Sequence, residues 1–85
     1  MINELENLKK KILYRASYRG TKEMDILMSK FVNKYIDKLS DANLKEMEIF
    51  LNFEDEVLLN YYQYGKIENN IDKNKISKIF RDFRI

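Results

Sequence analysis

The chain has no cysteine, no histidine, no proline and only two glycines in its 85 residues. Each absence removes a class of answer. Without cysteine there is no disulfide framework and no thiolate chemistry, and without histidine the commonest metal ligand and acid–base catalyst are missing. Long apolar runs are also absent. Nothing approaches the roughly 18 consecutive apolar residues of a membrane span, and Met1 to Lys11 is polar, without the apolar core of a secretion signal. These features lead us to expect a cytoplasmic protein of bacterial type with no membrane insertion. A strong charge of one sign is missing too: 16 Lys and Arg face 14 Asp and Glu, a net charge of +2. That is too little to pull the whole molecule onto nucleic acid, so electrostatic recognition has to be local.

What is present suits a small folded domain. Hydrophobic residues make up 45% of the chain and charged residues 35%, which is a globular composition with a thin core and a well-solvated surface. With Gly20 and Gly65 as the only strong punctuation, and no window of alternating apolar and polar residues, the spacing predicts an all-α chain. We expect a single domain over 1–85, a compact bundle of about five short helices at about 3–16, 21–38, 41–52, 54–64 and 73–84.

The first helix is marked by Leu5, Leu8 and Ile12. Lys9, Lys10 and Lys11 read either as a solvated face paired with Glu4 and Glu6 or as a weak nucleic-acid patch. In the second, Met24, Leu27, Met28, Phe31, Tyr35 and Leu39 form one stripe opposite Asp25, Ser29, Asn33 and Asp37. Its methionines suit core packing, or an adaptable groove. Ser40 is placed to cap a third helix that buries Leu44, Met47, Phe50 and Leu51. The acidic trio Glu54, Asp55 and Glu56 sits where a fourth helix would begin, so its charge complements the helix dipole without needing a bound cation. That helix stops at Gly65; its Tyr61, Tyr62 and Tyr64 cover more than one face and cannot all be buried. Asp72 is positioned to cap a last helix packed through Ile76, Ile79, Phe80 and Phe83, with Lys75, Lys78, Arg81 and Arg84 outward.

One stretch, Arg15 to Asp25, holds more than a bundle requires. Gly20 lies between Arg19 and Glu23 at the junction of two amphipathic segments. Gly20 or Thr21 could cap the second helix, with Glu23 in its first turn and Arg19 solvated. Alternatively, Gly20 lets another chain approach the backbone while Arg19 and Glu23 offer it a fork of donors and a carboxylate. Both can hold together.

The run Leu13-Tyr14-Arg15, then Arg19-Gly20-Thr21-Lys22-Glu23-Met24-Asp25, followed by Leu39-Ser40-Asp41 and a helix closing at Gly65, resembles the succinate dehydrogenase flavinylation factors, the SdhE family of assembly factors. The family signature Arg-Gly-x-x-Glu is matched by Arg19, Gly20 and Glu23. The resemblance implies a five-helix chaperone, not an enzyme, that binds the flavoprotein subunit of succinate dehydrogenase or fumarate reductase and promotes covalent attachment of FAD to it. It also implies partner contacts at Arg19, Gly20, Glu23 and Asp25, with Tyr18 and Arg15 beside them. The chain would be a monomer when free and carry no cofactor of its own, FAD being bound by the partner. Tyr18 stands where the family commonly has Arg or His, and Tyr62 where it commonly has Trp. The alternative is a small basic helical regulator that binds nucleic acid or a toxin-like partner, which the net charge of +2 disfavours.

Overall fold

The computed structural model describes residues 4–85, and among them every regular element is helical. The helices are α1 (Glu4–Ser17), α2 (Lys22–Tyr35), α3 (Asp41–Phe50), α4 (Asp55–Tyr64) and α5 (Lys75–Asp82). Single turns of tighter helix at Ile36–Lys38 and Ile71–Lys73 lie in two of the connections. The expected all-α bundle of five helices is present.

Local chemistry explains where the helices start. Thr21 caps α2, its hydroxyl accepting from the Met24 amide at 3.2 Å, and Ser40 caps α3 by accepting from the Asn43 amide at 3.2 Å. The last helix corrects the sequence reading. Asn74, not Asp72, is its cap: Asn74 Oδ1 accepts from the amides of Ile76 (2.8 Å) and Ser77 (3.2 Å). The same side chain, only 5% exposed, donates from Nδ2 to the Glu46 carbonyl at 3.0 Å and so ties the start of α5 to α3. An aspartate could not make that second bond, because an ionised carboxylate has no donor.

Gly65 closes α4 in the left-handed region, with φ +67°. Its amide donates to the Tyr61 carbonyl at 2.9 Å, and the Lys66 amide reaches the Asn60 carbonyl at 3.3 Å. The space a Cβ would occupy lies 2.8 Å from an Arg81 guanidinium nitrogen. Gly65→Ala is therefore expected to lower stability by about 1–2 kcal/mol, the cost of a left-handed Cβ-bearing residue, with Arg81 swinging aside. A urea titration followed by circular dichroism measures it, and an unchanged midpoint would contradict the closure described.

Phe31 is the centre of the core. Fully buried on α2, it meets Phe50 of α3 (5.7 Å between ring centroids), Phe80 of α5 (5.0 Å) and Phe83 just past α5 (5.3 Å), mostly in tilted or edge-on geometry. Both methionines of α2 are buried with it, so the core-packing alternative holds for Met24 and Met28. The three tyrosines of α4 divide as the sequence requires: Tyr61 is buried, Tyr62 stacks on Phe80 at 4.8 Å, and Tyr64 is exposed.

Candidate functional site

Residues 18–21 form the corner between α1 and α2, and this corner rests against the connection from α3 to α4. Arg19 makes the joint. Its Nε donates to Asp55 Oδ1 at 2.9 Å, and its two terminal nitrogens donate to the carbonyls of Leu51 and Phe53, each at 2.7 Å. The side chain is only 10% exposed. These acceptors share a physical origin. Leu51 and Phe53 follow the end of α3, where carbonyls lack intrahelical donors, and Asp55 opens α4. One planar cation thus satisfies the negative end of one helix and the first carboxylate of the next. The expectation of a solvated Arg19, or of one offering its fork outward, is corrected here: three of the fork's donors are engaged inside the protein.

Asp25 also faces inward on this corner, its carboxylate accepting the backbone N–H of Arg19. Arg15 donates to the side-chain oxygen of Asn52, adding a second tie between α1 and the α3–α4 connection. Arg19 and Asp25, read from the sequence as partner contacts, are therefore part-buried braces of the corner, and Arg15, read in the same way, ties α1 to the α3–α4 connection at the surface.

The other three residues face outward. Gly20 has φ +122°, a region that side-chain-bearing residues rarely enter, and its Cβ position has no heavy atom within 4 Å. The backbone here is open to an approaching chain. Tyr18 is 69% exposed and lies 4.7 Å from the ring of Tyr14, itself exposed. Glu23 is exposed in the first turn of α2, where its charge suits the dipole. It borders a groove of about 250 Å³ lined by Ile26, Leu27, Leu59, Tyr62 and the terminal Ile85.

The sequence reading missed Asn52, Asp55 and the groove. Spacing alone gives Asp55, within its acidic trio, to the helix dipole, although a cation beside a glycine corner and an acidic helix start are a natural pair. Ile26 carried a signal: it is an apolar residue outside the α2 stripe, and it is 43% exposed. The lysines of α1 are partly neutralised across helices, Lys9 by Asp37 at 3.3 Å and Lys11 by Glu48 at 3.0 Å.

Fold and corner together define a class: a small all-α protein that presents a braced, solvent-facing helix corner and has neither histidine nor cysteine for chemistry there. The particular family follows from comparison. Residues 10–84 match the family model described as flavinator of succinate dehydrogenase, and the chain belongs to that family. It is 35% identical over 60 residues to the mitochondrial succinate dehydrogenase assembly factor 2 of Dictyostelium discoideum, covering 71% of this chain and 43% of that protein. To the protein of the same name from Meyerozyma guilliermondii it is 39% identical over 46 residues, covering 54% of this chain and 34% of that one. The matched segments thus span less than half the length of either relative.

Proposed function

We propose that this protein binds the flavoprotein subunit of succinate dehydrogenase, or of fumarate reductase, and promotes covalent attachment of FAD to it. Family membership supports the reading, and the observation that carries it on this chain is the α1–α2 corner. There the signature glycine and glutamate are both exposed, on a braced support.

Attaching a flavin methyl group to a side chain requires the cofactor to be held at the right angle with charge stabilised on its ring, and an ordered flavoprotein pocket can supply both. This chain acts as an accessory that favours the aligned conformation of its partner and then leaves. It has no histidine to accept the flavin, and FAD stays with the partner. Among the described residues no helix is long and apolar enough to cross a membrane. We place the protein, free as a monomer, in the cytoplasm of a bacterial-type cell; the relatives named above are mitochondrial. The cross-helix pairing of Lys9 and Lys11 weighs against the basic-regulator alternative.

The test is to express the flavoprotein subunit with and without this chain, denature it on a gel and look for flavin fluorescence that stays with the polypeptide. Fluorescence that does not depend on this chain would sink the proposal. Glu23→Lys is expected to weaken the complex by about tenfold, which is ~1.4 kcal/mol. Helical content should be unchanged and stability lowered only by the ~0.3–1 kcal/mol that a cation costs in a first turn. Calorimetric titration of the two purified proteins, with a melt of the variant alone, separates the two effects.

A further inference from the structure

We propose that Arg19 is a positioning residue: it does not touch the partner but locks the α1–α2 corner so that Gly20 and Glu23 are presented in one fixed geometry. The proposal rests on the reading that this corner docks the flavoprotein.

Four observations converge on it. The guanidinium is committed to three acceptors on a different part of the chain, Asp55 at 2.9 Å and the Leu51 and Phe53 carbonyls at 2.7 Å. With the side chain 10% exposed, little of it is left for a partner to reach. The backbone of the same residue is held independently, its N–H donated to the Asp25 carboxylate in the first turn of α2. The next residue, Gly20, then departs at φ +122° into open space. A glycine in that region is free to relax unless its neighbours over-determine it, because glycine alone carries no side-chain penalty at either sign of φ. Arg19 is the neighbour that does so, fixed at one end to α2 and at the other to the α3–α4 connection. The three acceptors lie at angles that suit a planar fork; a lysine ammonium, a single point on a flexible stem, would reach one or two of them.

This predicts that the residues that anchor Arg19 matter as much as Arg19 does. Asp55→Ala and Asp25→Ala each remove one anchor and leave the guanidinium or its backbone in place. Affinity for the purified flavoprotein subunit would be measured for Arg19→Ala, Arg19→Lys, Asp25→Ala, Asp55→Ala and the Arg19→Ala/Asp55→Ala double variant, at a temperature where each is folded. Every single substitution to alanine should weaken the complex by about fivefold or more, and the double variant should match Arg19→Ala within about twofold, as coupled residues do. Arg19→Lys should restore part of the loss and keeps the test available if Arg19→Ala does not fold.

Hydrogen exchange on the protein alone supplies the second readout. The amides of Arg19, Met24 and Asp25, which bond to Asp25, Thr21 Oγ1 and the Thr21 carbonyl, should exchange about tenfold faster in Asp55→Ala while the Phe31 amide in the core is unchanged. If Asp55→Ala binds like the parent, or if the corner amides are unmoved while binding falls, Arg19 is not a positioning residue. If the parent chain does not bind the flavoprotein at all, the proposed function fails, and the exchange arm alone decides whether Arg19 holds the corner.

Discussion

Phe31→Ala should cost about 3–5 kcal/mol, the range for truncating a buried aromatic side chain. For a domain of this size the whole stability is about 5–10 kcal/mol, so the variant would be at the edge of folding. The reason is where Phe31 sits. It is fully buried on α2, and its ring touches Tyr35 on its own helix, Phe50 on α3, and Phe80 and Phe83 at the far end of the chain. Removing it opens a cavity that no single neighbour can fill, because Phe50 and Phe80 are already packed against each other at 5.2 Å. Thermal melting by circular dichroism should show a midpoint lower by about 12–40 °C, at about 4–8 °C per kcal/mol for a small domain. Phe31→Leu, which retains much of the volume, should lose far less. A melt of Phe31→Ala within a few degrees of the parent would mean that the aromatic cluster is not the keystone described.

Gly20→Val should have the largest effect on function. At φ +122° a side-chain-bearing residue costs about 1–3 kcal/mol, and a β-branched one falls at the upper end. Because no heavy atom lies within 4 Å of the Cβ position, that atom meets no steric block and the cost it brings is in the backbone. The corner can therefore escape it by rotating to negative φ. Doing so would turn Thr21 and Glu23 relative to Arg19, which stays tied to Asp55, and would strain the bond from the Arg19 N–H to Asp25 on α2. Part of the stability would be recovered and the presented surface would not. Expressed with the flavoprotein subunit, Gly20→Val should reduce gel-stable flavin fluorescence to the level seen without this chain, while the purified variant remains helical. Full fluorescence with Gly20→Val would remove the corner from the docking surface.

How much of this was legible in the sequence depends on the range of the interaction concerned. The five helices, the Ser40 cap, the closure at Gly65 and the fact that Tyr61, Tyr62 and Tyr64 cannot all be buried follow from periodicity and from residues within one turn of each other. Where a second partner came from elsewhere, local reasoning misplaced the feature. Asp72 was as good a cap as Asn74 until the Glu46 carbonyl, in α3, asked for a donor. Lys9 and Lys11 gain Asp37 and Glu48 on other elements, partners that helical spacing alone does not name.

The corner shows the same division most sharply. That Gly20 breaks two helices, that Glu23 belongs in a first turn and that the chain has neither histidine nor cysteine are properties of composition and spacing, which depend on nothing beyond a few neighbouring residues. The direction in which Arg19 points is not. A guanidinium at a helix junction can be solvated or buried, and it is buried only where desolvation is repaid by acceptors brought to it from a distance. Those acceptors, Leu51, Phe53 and Asp55, lie more than thirty residues along the chain and reach Arg19 only when the helices pack. Packing turned Arg19 and Arg15 into a brace, with Asp25 holding the Arg19 amide within the corner itself, and left Tyr18, Gly20 and Glu23 exposed.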